Sequence, residues 1–457
     1  MEVIMATFKL DFTKAEKPIK PMHAVGQPPF AGGFRTFDFS PMRHLQNAHV
    51  PYSRLHDVGG AFGSNRFVDI PTIFRDFSAD AEDPASYDFA FTDCLIAAMM
   101  QYDLKPIFRL GVTIENQMTV RALWINPPED YGKWARVCEH IIRHYNEGWA
   151  NGYRYGIEYW EIWNEPENGI TAETNQMWTG TGEDYFRLYD VTSKHLKACF
   201  GDTIKVGGYS SCGFGGIFYD PEAYGIDYPP KEMSPSFERD MYRVRFLFGF
   251  LSYIREHGSP IDFFSWHSYY NVEKTQIMDE FLHRTLTEYG YGDLETHLNE
   301  WNNANGTTYG NAVHGTSFAS ASVASMMLAM QDAHADMLCY YDARLTASAY
   351  GGLFAPLTYE PVCTYYSLVA FGRLYALGTQ VSLDVTCKSR GLYAVAATNG
   401  KKHALMISNQ TGSEQPIVIE GADLSDARYY LLDQRHLLSM ALEHGTLAND
   451  AVLLVEW

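Results

Sequence analysis

The chain has 457 residues, 46% of them apolar, with 35 Lys+Arg against 55 Asp+Glu and a formal net charge of −20 at pH 7. That length fits one barrel-sized domain with a smaller appendage. The acidic balance excludes a nucleic-acid backbone or an anionic membrane surface as a natural partner, and no run of about 18 apolar residues is present to span a bilayer. Aromatic residues make up 15% of the chain, which suits either a large core or a ring-lined pocket for an uncharged ligand. Seven cysteines, at positions 94, 138, 199, 212, 339, 363 and 387, form no C-x-x-C pair. They predict reduced thiols in a cytoplasmic protein, not a disulfide framework or zinc knuckle. The opening MEVIMATFKLDF lacks a basic stretch followed by an apolar one and predicts no secretion signal.

In chain order, short apolar runs alternate with longer amphipathic segments. Strands are predicted near 34–39 (FRTFDF), 51–57 (PYSRLHD), 106–111 (PIFRLG), 157–164 (IEYWEIWN), 204–209 (IKVGGY), 261–267 (IDFFSWH), 295–300 (ETHLNE) and 337–342 (MLCYYD). Helices are predicted near 41–48, 87–103, 129–146, 182–199, 236–257, 275–289, 316–334 and 360–376. In 87–103, Phe89, Leu95, Ile96, Met99 and Met100 make one apolar stripe, and 316–334 is rich in small residues, as a tightly packed helix would be. Strands and helices in strict alternation predict an α/β fold, a (β/α)8 TIM barrel, over residues 21–376. After residue 376 the text turns to short strands separated by Asn399-Gly400 and Thr411-Gly412. Residues 377–457, joined by the strand-like residues 1–20, predict an accessory β-sandwich.

Reactive residues of such a barrel sit at the C-terminal ends of its strands. Those ends carry Arg54, His56 and Asp57, then Asn164 and Glu165, His267 and Tyr269, Glu300, and Asp342. Two carboxylates facing one cavity are what glycosidic-bond cleavage needs, one to protonate the leaving oxygen and one to attack the anomeric carbon. Like charges also push the two pKa values apart. The strongest local signal is WEIWNEPE, residues 160–167. An ideal strand sends adjacent Asn164 and Glu165 to opposite faces, so both reach the cavity only if the strand bends there, and Pro166 is consistent with such an ending. HLNEWNN, residues 297–303, supplies Glu300 from the seventh strand; WHSYY puts His267 and Tyr269 on one face by period-two alternation. Arg54 could hold a carboxylate ionised by charge-assisted hydrogen bonding.

WNEPE with the later LNEWN resembles the clan A retaining glycosidases, and the surrounding text resembles glycoside hydrolase family 39, the β-xylosidase and α-L-iduronidase family. YSRLHD is similar to the family's Arg-x-His segment. KWARVCEHIIRHYNEGW is similar to the helix leading into WEIWNEPE, and YYDAR followed by YGGLF to its eighth-strand end and Gly-rich loop. The resemblance implies Glu165 as general acid/base, Glu300 as nucleophile, Asn164 on the sugar 2-hydroxyl, and His56, Arg54, His267, Tyr269, Trp301 and Asp342 as substrate-binding residues. It implies a retaining exo-glycosidase needing no metal or organic cofactor, β-xylosidase-like and acting on plant or gut oligosaccharides. The substrate is then an oligosaccharide or glycoside, and a homo-oligomer stays open. Arabinose- or galactose-releasing activity, or a silent sugar-binding barrel, are the alternatives. Two departures bear on the sugar: Arg109 where the family often has an acid, and Tyr341 where the clan often has Trp. Loops 60–85 and 210–235 are expected to close the far end of the pocket.

Other motifs carry less. HGTSFASA, residues 314–321, is similar to the serine-bearing helix start of subtilisin-like proteases, but a triad needs all three partners. GGYSSCGFGG, residues 207–216, fits no nucleotide or nucleophile-elbow pattern. Sixteen histidines show no H-E-x-x-H spacing, and Glu161 and Glu167 have no partner argument.

Overall fold

The computed structural model describes residues 5–32, 36–58, 67–114, 125–302, 313–346, 350–386, 390–441 and 445–457. Strand β1 (Ala6–Pro18) belongs to the C-terminal sheet, and β2 (Ala24–Gly26) is the first barrel strand. A short antiparallel pair, β3 (Ala31–Gly32) and β4 (Phe37–Asp38), precedes β5 (Tyr52–Leu55), β6 (Lys105–Leu110), β7 (Tyr159–Ile162), β8 (Lys205–Ser211), β9 (Phe263–Ser268), β10 (Glu295–Trp301) and β11 (Met337–Tyr340). Among the described residues, β2 and β5 to β11 close into a parallel barrel in sequence order; β11 returns to β2 through Cys339 opposite Ala24. The helices are α1 (Met42–Asn47), α2 (Ile70–Ile73), α3 (Ala90–Gln101), α4 (Tyr131–Asn146), α5 (Gly182–Phe200), α6 (Phe237–His257), α7 (Val272–Glu288), α8 (Ser317–Met330) and α9 (Cys363–Leu377). The TIM-barrel class read from the sequence is the observed one.

The first strand is a correction. Of the predicted strand 34–39, residues 34 and 35 lie outside the described residues and 36–39 do not enter the barrel: Phe37 and Phe39 pack on Phe30, and Phe37 on Phe67, at ring distances of 5.1–6.2 Å. The true strand, Ala24-Val25-Gly26, is three residues long, too short for any periodicity to register.

Inside the barrel, Ala24, Ile107, Tyr159, Phe263, Met337 and Cys339 form a buried apolar layer. All but Cys339 come from the first half of their strands, so this layer plugs the N-terminal half and leaves later inward positions for polar groups. His297 caps the plug, stacked on Phe263 at 4.7 Å.

The accessory strands are β12 (Thr379–Val385), β13 (Leu392–Thr398), β14 (His403–Asn409), β15 (Gln415–Glu420), β16 (Arg428–Leu432), β17 (Leu437–Ala441), β18 (Thr446–Leu447) and β19 (Ala451–Glu456). With β1 they form one continuous mixed sheet, ordered β17-β16-β19-β14-β13-β12-β1-β15-β18. β1 runs antiparallel to β12 and parallel to β15. Alternation explains the uninterrupted apolar text of β14 and β19. Leu405, Ile407, Leu453 and Val455 enter the sheet's own core, while Met406, Val452 and Leu454 join the barrel's. α8 packs against this sheet, with Ser325 Oγ 3.0 Å from Ser408 Oγ and Gln410 Nε2 donating to Ser322 Oγ at 2.7 Å. Its small residues permit that approach.

α9 meets the end of α1 through Gly372, where a Cβ would stand 1.9 Å from the carbonyl oxygen of Ala48. Gly372→Ala is therefore expected to lower folding stability by about 1–3 kcal/mol, read as a reduced urea midpoint at unchanged slope.

Candidate active site

The polar layer above the plug is organised by Arg54 on β5, whose side chain is 1% exposed. Its Nε donates to Glu161 Oε2 (2.8 Å), Nη1 to Glu300 Oε2 (3.2 Å), and Nη2 to Asn164 Oδ1 (2.5 Å) and Ser210 Oγ (2.8 Å). One guanidinium thereby ties β5 to β7, β8 and β10. Burial disfavours its charge, but Glu161 and Glu300 outweigh that and raise its pKa. Glu161 is likewise raised by burial yet held below its usual value by Arg54, Ser210 and Ser265. Asn299 Nδ2 donates to its other oxygen. Glu161, Ser210 and Asn299 had no role in the sequence reading. The available signal was an acid alternating with Tyr159 on the inward face of a buried strand, which demands a cation.

Two backbone irregularities deliver the carboxylates. β7 ends at Ile162, and the next residues include Trp163 at φ 74° and Glu165 at φ 45°. These left-handed conformations are the bend that adjacent Asn164 and Glu165 require. The Glu165 amide donates to the carbonyls of Tyr209 (3.2 Å) and Ser210 (3.1 Å), pinning the bend to β8. On β10, Leu298 faces Trp266 but Glu300 faces His267, so one extra residue is inserted. This bulge lets both Asn299 and Glu300 turn into the lumen.

An oxygen of Glu165, a nitrogen of His267 and an oxygen of Glu300 all lie within 4.8 Å of one another. His267 is fully buried between the carboxylates, with Nδ1 2.7 Å from Glu165 Oε1 and Nε2 3.7 Å from Glu300 Oε2. Asn168 Nδ2 donates to Glu165 Oε2 (2.7 Å), and Tyr269 OH donates to Glu300 Oε1. Burial raises the Glu165 carboxyl, but the His267 hydrogen bond and charge, with Arg243, hold it at about 2. Glu300 is raised by burial and by Glu165, against the pull of His267 and Arg54. His267 is lowered by burial but raised further by Glu300 and Glu165. Burial and His267 thus set the two carboxyls apart, Glu165 below its usual value and Glu300 above it.

The remaining expected residues fall in three groups. His56 is buried, with Nε2 3.3 Å from Asp57 Oδ1, and burial with Arg54 and Arg109 holds its pKa well below the usual value. Asp57 accepts from the Ile114 amide (2.9 Å) and Tyr341 OH (3.3 Å), and burial pushes it up to about 7. Asp342 is buried and receives Arg344 Nε at 2.7 Å. Trp301 is a correction: its ring is fully buried outside the lumen, edge-on to Tyr340 at 5.4 Å, and offers no surface to a sugar. The bulge that turns Glu300 inward sends the next side chain outward. Arg109 is matched by Asp69 (2.7 Å), itself held by the Thr113 amide (2.9 Å). Of the loops expected to close the pocket, 60–66 lie outside the described residues. Ser317, the serine of the protease-like segment, begins α8 at the accessory sheet.

The family model for glycosyl hydrolases family 39 matches residues 62–347. A β-xylosidase of Geobacillus stearothermophilus is 26% identical over 235 residues, 49% of this chain and 37% of the relative. A β-xylosidase of Caldicellulosiruptor saccharolyticus is 22% identical over 370 residues, 73% of this chain and 66% of the relative. The alignments therefore take in less than two thirds of each of these relatives. Among solved structures, a glucosidase from Croceicoccus marinus matches with a TM-score of 0.75 at 19% identity, over 100% of this chain and 99% of its own. A family 39 β-xylosidase from Caulobacter crescentus matches with a TM-score of 0.65 at 16% identity, over 98% and 99%. At such identities the likeness is one of fold.

Behind Glu165, the buried Glu167 accepts from Ser211 Oγ (2.8 Å) and the Cys212 amide (2.7 Å), while its Oε2 has no hydrogen-bond partner among the described residues. Burial, then the Glu165 charge, raise it to about 7. A carboxyl raised on folding stabilises fully below its unfolded pKa, and that contribution is lost as pH rises through the folded one. From about pH 5 to about pH 8 the native chain is expected to lose roughly 2–3 kcal/mol relative to Glu167→Gln. Urea denaturation at both values measures this; a gap constant with pH would refute it.

Proposed function

The chain belongs to glycosyl hydrolases family 39, and from that premise we propose that it is a retaining, exo-acting glycoside hydrolase with Glu165 as general acid/base and Glu300 as nucleophile. The observation that carries this reading is the approach of one oxygen of Glu165 to within 4.8 Å of one oxygen of Glu300. Retaining enzymes hold their carboxyl groups about 5–5.5 Å apart, whereas inverting ones need about 6.5–9.5 Å to seat a water. A silent sugar-binding barrel has no use for two carboxylates at that spacing.

Glu300, oriented by Arg54 and Tyr269, attacks the anomeric carbon while Glu165 protonates the departing oxygen. The proton is the one held between Glu165 and His267. As Glu300 becomes an ester it loses the charge that raised His267, so the imidazole releases its proton toward Glu165 as the leaving oxygen needs it. In the second step Glu165 takes a proton from water, the hydroxide equivalent cleaves the ester, and Glu300 regains its charge. Asn164, fixed by Arg54 at 2.5 Å, binds the sugar 2-hydroxyl, and His56, Tyr269 and Asp342 shape the subsite.

The substrate is a β-xyloside, a reading supported by the β-xylosidases among the relatives; glucose-, arabinose- and galactose-releasing activities are tested beside it. The free cysteines among the described residues support a reducing compartment, and we assign the protein to the cytoplasm. No described helix is long and apolar enough to cross a membrane.

On a panel of nitrophenyl glycosides, Glu165→Ala and Glu300→Ala are each expected to lower kcat by about 10²–10⁴-fold or more while the fold is kept. Azide should partly restore both, with a glycosyl azide of retained configuration from Glu165→Ala and inverted from Glu300→Ala. NMR of the first-formed sugar should show retention in the native enzyme. An inverted product, or an active Glu300→Ala, would overturn the assignment.

A further inference from the structure

On the outside of the barrel, α4 and α5 lie against each other and bring together three side chains with no part in the chemistry above. His195 and Cys199 are four residues apart on α5 and share a face; Glu139 reaches them from α4. His195 Nε2 is 2.6 Å from Glu139 Oε2 and 3.8 Å from Cys199 Sγ, and one donor atom from each residue lies within 4.8 Å of the others. The second oxygen of Glu139 accepts from Arg143 Nε at 2.7 Å. The Glu139 side chain is 12% exposed and that of His195 is 31% exposed, so solvent reaches one side of the group.

We infer that Glu139, His195 and Cys199 form a binding site for a zinc-type divalent transition-metal ion that clips α4 to α5, with solvent as the fourth ligand. The donor set combines the three zinc-ligand types, thiolate, imidazole and carboxylate. In a tetrahedral zinc site with ordinary bond lengths the ligand nitrogen and sulfur stand roughly 3.6 Å apart, close to the observed 3.8 Å. The carboxylate must back away from the imidazole by under about 1 Å, since the ion replaces their hydrogen bond. Arg143 is placed as the orienting partner of a ligating carboxylate commonly is, holding one oxygen so that the other points at the ion. Binding releases the Cys199 thiol proton to solvent, leaving thiolate and carboxylate to balance the two positive charges.

The test is a Co²⁺ titration of the chelator-treated full chain, followed by absorption and by thermal midpoint. One equivalent is expected to give a sulfur-to-cobalt charge-transfer band that Zn²⁺ bleaches, with a raised midpoint. Cys199→Ser should abolish the band and the midpoint shift, and His195→Ala, which keeps the thiol, should weaken Co²⁺ binding by about tenfold or more. Cobalt held between Glu165, His267 and Glu300 would give no sulfur band, so the two clusters are distinguishable. Absence of the band from the native chain, or its persistence in Cys199→Ser, would overturn the site. Neither result depends on whether the chain cleaves a glycoside.

Discussion

The guanidinium of Arg54 is the point on which the mouth of the barrel depends. A buried cation is tolerated only where hydrogen bonds and opposite charges replace lost water. Here Glu161, Asn164, Ser210 and Glu300 supply them from three other strands. Each partner is fixed in return. Glu161 carries no chemistry of its own, but by matching Arg54 it leaves the second donor edge free to orient Glu300 and Asn164. Removing either member strands a buried charge, so positioning and folding are carried by the same bonds.

Above that anchor, His267 joins two carboxylates that would otherwise repel. It is hydrogen-bonded to one and faces the other at 3.7 Å, so its hold on a proton rises and falls with their charge. In the proposed reaction this links the supply of a proton at Glu165 to the charge on Glu300. The left-handed conformations at Trp163 and Glu165 and the bulge on β10 are the local strain the arrangement requires. They are held by the β8 carbonyls and the packed indoles beneath.

The accessory sheet shares its packing with the barrel. β14 and β19 divide their residues between two cores, and α8 lies against the sheet with serines where bulk would hold the layers apart. A change in the sheet is therefore felt in the outer barrel helices, some distance from the carboxylates.

Much of this was legible in the amino-acid text because it rests on period and local chemistry. Helices such as 182–199 and 236–257 follow from apolar spacing. WEIWNEPE announces its own bend, since Asn164 and Glu165 cannot both face a cavity from a straight strand. Other features were beyond local reading. Ala24–Gly26 is held as a strand by its neighbours, not by its three residues, and the outward turn of Trp301 follows from a bulge no pattern reports. The partnership of Glu161 with Arg54, and the meeting of Glu139 with His195 and Cys199, join segments far apart in the chain. Sequence by itself determined most of the strands and helices, those long enough to show a period, and which residues could carry a proton or a charge, because those are properties of short stretches. Only the tertiary structure decided which of them touch, because closing a barrel brings strand ends together at angstrom distances that separation along the chain does not encode.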